Sequence, residues 1–334
     1  MFHSGIGILL QATVVSVAIV HDCRADEVPP TVKGETTSAL DGERQPLLYW
    51  APELAEEEPT PLLVFLHSWS SDYTQDNAKW LKACAEQKWI WLHPNFRGIN
   101  QSPKACGSRF ARQDILDSIA FARNRWSVDP QRIYLAGVSG GGHMALLMAG
   151  HHPHQFSAIS AWVGPTDLCE WHRFHTKNGE RQKYALMIER SLGGAPGISP
   201  AIDADYLDRS PVFHLSRAAD LPVSIWAGVE DGHSGSVPIR HSLTAFNAVA
   251  KARGNPEITE KEMTELSQLK RLIAPQDSDS EEDTILGKSI VLRRRTGDSM
   301  ITIFDGGHES HPDAAMQWLS TKQRTAAPAA KAKK

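Results

Sequence analysis

From Leu47 onward, short uninterrupted apolar runs alternate with stretches whose apolar residues recur at helical spacing. Leu62-Leu63-Val64-Phe65-Leu66, set behind Pro59 and Pro61, has the pattern of a strand buried on both faces. Residues 76–88 then predict a helix, and Trp89-Ile90-Trp91-Leu92 the next strand. Ile115, Ile119, Ala122 and Trp126 mark one face of an amphipathic helix that should end before a turn at Asp129-Pro130. A strand over 132–136, a helix over 142–149, and strands over 157–163 and 223–227 continue the alternation. Residues 289–295 and 299–304 flank Thr296-Gly297-Asp298 and predict a hairpin, followed by a last helix over 314–319. Such alternation implies an α/β fold: a mainly parallel, doubly wound sheet with helices on both faces.

Two internal stretches break the rhythm. Residues 164–215 mix aromatic, histidine and charged positions without a clean period and are expected to form a cap-like insertion. Trp162, Trp171, His172, Phe174 and His175, in or beside it, are expected around a pocket mouth. Residues 254–288 contain the acidic run Asp277-Ser278-Asp279-Ser280-Glu281-Glu282-Asp283 and are expected to be a mobile surface loop. At the ends, residues 321–334 are Ala/Lys-rich and predict a disordered tail. Residues 5–20 are mostly apolar but short for a membrane span. Cys23-Arg24-Ala25 follows, so the first 25 residues predict a signal peptide cut after Ala25 and export to the periplasm or exterior.

The chemistry concentrates at strand ends. Gly137-Val138-Ser139-Gly140-Gly141 fits G-x-S-x-G between a predicted strand and a predicted helix, where a sharp turn exposes a serine at a helix N-terminus. A serine hydroxyl needs a base, and in this architecture the order is Ser, then an acid, then His, each after a strand. His308, in Asp305-Gly306-Gly307-His308-Glu309 after the last strand, is the expected base, in preference to His233 or His311. Asp231, in Gly228-Val229-Glu230-Asp231-Gly232, is the expected acid; Glu230 is its nearest rival and Asp305 a distant one. An oxyanion hole needs two donors. The backbone N–H of Gly140 supplies one, and the loop His67-Ser68-Trp69-Ser70 the other, through Ser68 or, preferably, Trp69. Packing of the pocket wall is an equal reading of Trp69.

Composition narrows the partners. Hydrophobic residues make up 41%, enough for a large core, and 35 basic against 39 acidic residues leave a net charge of −4. That balance gives no reason to expect nucleic acid, and none for stable membrane association once the leader is removed. Without Cys23, three cysteines remain, Cys84, Cys106 and Cys169, which permit one disulfide at most and no zinc-type spacing. A metal centre on His151, His152 and His154 is disfavoured because adjacent helical side chains diverge. The reading calls for no cofactor and no metal.

Val64-Phe65-Leu66-His67, Pro94-Asn95-Phe96-Arg97-Gly98, Val128-Asp129-Pro130-Gln131-Arg132-Ile133, Gly137-Val138-Ser139-Gly140-Gly141, Gly228-Val229-Glu230-Asp231 and Gly306-Gly307-His308 occur in one order. That series resembles the catalytic domain of prolyl oligopeptidase-type α/β-hydrolases, and looks like related secreted esterases, over residues 60–320. The resemblance implies an acyl-transferring serine hydrolase acting on a small ester, an acylated carbohydrate or a peptide. Acetyl, feruloyl or polyester esters are the alternative substrates, and a catalytically inactive binding module is the alternative from another class. Two departures stand out: no segment could form the β-propeller of the large oligopeptidases, and Ser68 stands where a glycine is common. Tyr73 lies near the place where several such enzymes carry a tyrosine oxyanion donor.

Overall fold

The structure, a computed structural model, describes residues 27–324. The leader expected over 1–25 and the last ten residues of the chain lie outside the described residues. A nine-stranded sheet carries the fold. Its strands in chain order are β1 (Val32–Thr37), β2 (Arg44–Trp50), β3 (Thr60–Leu66), β4 (Ile90–Pro94), β5 (Val128–Val138), β6 (Ala158–Trp162), β9 (Val223–Gly228), β10 (Ile290–Thr296) and β11 (Ser299–Phe304). A separate two-stranded ribbon pairs β7 (Thr176–Lys177) with β8 (Glu180–Arg181). The order across the sheet is β1-β2-β4-β3-β5-β6-β9-β11-β10. The six strands from β4 to β11 run parallel, and an antiparallel hairpin closes each edge.

Every residue of β3, β4, β6, β9 and β11 is buried, as uninterrupted apolar runs require when helices cover both faces. The helices are α1 (Ala78–Glu86), α2 (Arg109–Arg125), α3 (Gly140–His151), α4 (Leu168–Phe174), α5 (Lys183–Leu192), α6 (Pro200–Asp208), α7 (Arg240–Ala252), α8 (Glu260–Leu269) and α9 (Pro312–Ser320). From β3 the chain crosses outward to β4, whereas from β5 it crosses the other way to β6. Right-handed crossovers therefore place α1 and α3 on opposite faces, and the loops after β3 and β5 part over a crevice. Ser139 and Trp69 both border that crevice.

Four expectations change. Asp129-Pro130 is not a free turn but an irregular start to β5, where the pairing with β3 shifts register; Asp129 accepts from the Gln131 N–H and from Arg132. The 254–288 stretch is not a loose acidic loop. It contains α8, and its carboxylates are neutralised by three consecutive arginines of the edge strand β10. Asp279 is buried against Arg294, Asp283 pairs with Arg293 at 2.8 Å, and Glu281 with Arg295 at 2.7 Å. Residues 321–324, expected in the disordered tail, are fastened instead. Tyr134 donates to the Lys322 carbonyl, and Arg324 donates to the carbonyls of Gln131 and Phe156. Finally, β1 and β2 add a hairpin ahead of the first expected strand.

Residues 164–215 hold α4 to α6 and the β7–β8 ribbon, and they build a small core of their own. Leu168, Trp171, Ile188 and Tyr206 pack there around Trp69, which reaches in from the loop after β3. Trp162, Trp171, His172 and His175 are therefore not at a pocket mouth. Trp162 lies in β6, stacked on Trp226 with ring centroids 4.7 Å apart, and the other three are buried within the cap. Cys84, Cys106 and Cys169 are free thiols. Burial pushes the Cys106 thiol up to about 12 and Cys169 to about 11, so neither competes as a nucleophile at neutral pH.

Candidate active site

Ser139 follows β5 directly and caps α3 with φ 58° and ψ −117°. For a residue with a side chain this is strained backbone, of the kind that persists where the surroundings enforce it. Here the enforcement is close packing. A Cβ on Gly137 would lie 2.4 Å from the Gly141 backbone, and one on Gly141 would lie 2.2 Å from the Leu66 carbonyl oxygen. The Ser139 N–H donates to the Trp162 carbonyl at 2.8 Å, which locks the turn onto β6.

Asp231 and His308 come from neighbouring strands. The loops after β9 and β11 are laced together, with the Val229 N–H donating to the Phe304 carbonyl and the Glu230 N–H to the Gly306 carbonyl. His308 Nδ1–H donates to Asp231 Oδ2 at 2.7 Å, which leaves Nε2 with a free lone pair. Asp231 is 2% exposed, and its Oδ1 accepts the N–H groups of Gly232 and Val237. Glu230, the rival acid, turns outward to a half-exposed ion pair with Lys270. Asp305 is exposed, and His233 hydrogen-bonds the Ser267 carbonyl away from the site. His311 packs against Phe304 and Trp162. Among the described residues, no hydrogen bond joins Ser139 to His308; such contacts often tighten only around substrate.

Two amides face the nucleophile turn. The Trp69 backbone nitrogen lies 2.2 Å from where a Gly140 Cβ would be, so the two main chains touch. Gly140 opens a helix, and the Trp69 N–H donates to no described residue, so both donors are unpaired. The Ser68 N–H is taken by Gln75 Oε1 at 2.8 Å, which separates the two candidates of the 67–70 loop. The Trp69 ring meanwhile packs edge-on to Trp171 and His143, while its main-chain N–H stays unpaired. The Tyr73 ring lies 5.4 Å from the Lys33 ammonium of β1.

Residues 232–237 were not singled out from the sequence, although a glycine-rich run after the acid is a legible sign. A Cβ on Gly235 would come 2.1 Å from Asp231 Oδ1 and 3.0 Å from the His308 Cβ, so only glycine lets this loop close over the pair. The cap grips the same loop. Trp171 Nε1–H and His175 Nε2–H both donate to the Ser236 carbonyl, at 2.8 and 2.9 Å. Beside the site, a cavity of about 290 Å³ is bordered by Gln75, Asn77, Trp80, Val138 and Ser310. Elsewhere His151 meets Asp208 and His214 rather than His152 and His154. Arg112 occupies that cluster, 3.0 Å from both Asp208 Oδ2 and His151 Nε2, as an ion-pair network would have it.

A model of the BD-FAE family matches residues 48–249. The chain belongs to the BD-FAE family. The BD-FAE match spans Trp69, Ser139 and Asp231 and stops short of His308. Among individual proteins, an uncharacterized peptidase, YtmA, of Bacillus subtilis is 28% identical over 161 residues, 47% of this chain and 57% of its own length. An acetylxylan esterase of Coprinopsis cinerea is 33% identical over 55 residues, 16% of this chain and 15% of that one. The solved acylaminoacyl peptidase of Pyrococcus horikoshii superposes with a TM-score of 0.57 at 17% identity, over 86% of this chain and 39% of that one. The chain thus spans just over half of the Bacillus relative and well under half of the archaeal one. At this identity the structural likeness speaks to the fold alone, that of an α/β-hydrolase.

Proposed function

We propose that this BD-FAE chain is a serine hydrolase that cleaves carboxylic esters through an acyl-enzyme. The observation that carries the reading is the buried Asp231–His308 hydrogen bond, on the same sheet edge as a serine held in strained backbone. Ser139 Oγ attacks the carbonyl carbon while its proton passes to His308 Nε2. Asp231 holds the tautomer and stabilises the imidazolium. The carbonyl oxygen takes up negative charge facing the amides of Gly140 and Trp69, and the α3 N-terminus adds positive potential there. Collapse of the tetrahedral intermediate breaks the carbonyl–oxygen bond, and His308 returns the proton to the departing alcohol. Water then enters by the same steps and frees the acid. A non-catalytic binding role gives no account of the strain at Ser139.

Peptide cleavage is the second reading, supported by the peptidase names among the relatives. A fluorophosphonate probe is expected to label Ser139 alone, and Ser139→Ala to abolish labelling and lower turnover of a nitrophenyl ester by roughly 10⁴ to 10⁶. Labelling retained in Ser139→Ala would place the nucleophile elsewhere. Faster cleavage of an aminoacyl-proline amide than of nitrophenyl acetate would make peptidase the primary activity.

A further inference from the structure

Lys183, Leu186, Met187 and Arg190 lie at three- and four-residue spacing on α5 and so share one face. That face walls a cavity of about 320 Å³ whose opposite side includes Ser70 and Ile99. Ser70 follows Trp69 directly, so the cavity opens one residue from the amide assigned above to the oxyanion. At one side of it the Ser70 hydroxyl donates to Met187 Sδ at 3.8 Å, joining the loop to α5. Leu186 and Ile99 are each 37% exposed, so apolar surface lies beside the two cations.

Those cations lack counter-ions. Among the described residues, neither Lys183 nor Arg190 has a carboxylate within ion-pair distance, and the Lys183 ammonium lies only over the Tyr184 ring at 5.6 Å. Neighbouring carboxylates are committed elsewhere: Glu189 to His172 and Arg181, and Asp72 to the N–H and hydroxyl of Thr74. In a chain of net charge −4, uncompensated positive charge on either side of an apolar strip calls for an anion from outside.

We propose that this cavity is a substrate subsite for a carboxylate carried on a short apolar stem. The carboxylate meets Lys183 or Arg190, which flank the apolar strip, while the stem lies on Leu186, Met187 and Ile99. The proposal rests on the hydrolase reading and narrows its substrates to esters with an acidic group on the acyl or the alcohol part.

Two matched pairs of esters test it. Nitrophenyl hemiglutarate against nitrophenyl butyrate places the carboxylate on the acyl side; acetoxybenzoate against phenyl acetate places it on the leaving group. In one pair, the ratio of kcat/KM for the anionic over the neutral ester is expected to fall about tenfold in the Lys183→Glu/Arg190→Glu double variant. The wild-type ratio should also shrink in about 0.5 M salt, because these charges are exposed. Lys251→Glu, on the exposed side of α7, makes the same kind of charge reversal as either single exchange, away from the cavity, and should leave both ratios alone. Ratios within about twofold of wild type in both pairs for the double variant would overturn the subsite. Wild-type protein that hydrolyses none of the four esters would overturn the hydrolase reading, and the subsite with it.

Discussion

At the carboxyl edge of the sheet, Ser139, Asp231 and His308 sit one, three and four residues past the ends of β5, β9 and β11. In the cap, by contrast, no strand of the main sheet fixes anything, and α4, α5 and α6 are held by side chains converging on Trp69, Trp171 and Tyr206. The first region is positioned by backbone pairing, which tolerates many sequences as long as strands stay apolar. The second is positioned by individual hydrogen bonds and ring contacts, so single residues carry more of its order. The regions meet closest to the Asp231–His308 pair at the loop 232–237, which the cap grips from above and Asp231 from below.

If the sheet edge sets the chemistry, the buried acid should be far more sensitive than the surface carboxylate beside it. Asp231→Asn is expected to lower kcat by about 10³ to 10⁴, since the amide favours the wrong imidazole tautomer. Glu230→Gln, one residue away but paired with Lys270 on the surface, should stay within about threefold. Steady-state kinetics on a nitrophenyl ester decides it; the reverse order of effects would mean that the wrong carboxylate had been assigned.

How much of this was legible follows the same division. The strands announce themselves because residues buried on both faces must be continuously apolar, and the nucleophile turn because close main-chain approach admits only glycine at Gly137 and Gly141. Asp231 and His308 follow from strand ends and chain order. The cap gave only its position. Its aromatic residues suggested a pocket mouth, but local composition does not reveal that Trp171 spends its indole N–H on Ser236, 65 residues further on. The acidic 277–283 run misled for a related reason: the arginines that neutralise it lie on β10, past the end of the run.

A smaller effect sharpens the contrast by cutting the link itself. Trp171→Phe keeps a ring in the cap core but removes one donor to the Ser236 carbonyl. We expect kcat to fall about three- to tenfold with KM little changed, because the loop that presents two amides to Asp231 loosens while substrate contacts remain. A structural loss alone would lower the melting temperature and leave the kcat of the folded fraction intact. A rise in KM with kcat unchanged would instead place Trp171 against the substrate.

The last expected effect is on stability rather than rate, and it sets the two regions against each other at acid pH. Four histidines near the site are fully buried, and burial lowers each pKa: His93 to about 3, His143 to about 4, His241 to about 3, and His67 in the same direction. His143 and His241 serve the cap hinge. The first donates from Nδ1 to the Pro165 carbonyl, and the second accepts the Thr166 N–H at Nδ1. An unfolded histidine takes up its proton near pH 6.5, whereas folded His93, His143 and His241 resist until pH 3 to 4. Between those values the unfolded chain binds more protons, so stability is intact above about pH 6.5 and is lost as pH falls, by about 1.4 kcal/mol per pH unit for each such histidine. The melting temperature should therefore be flat from about pH 7 to 8 and drop steeply below about pH 6. His241→Asn retains an acceptor for the hinge amide but carries no titrating group. It should start lower at pH 7 and decline less steeply, since one of the four contributions is gone. A full slope in that variant would remove His241 from the account and leave the acid sensitivity to His67, His93 and His143.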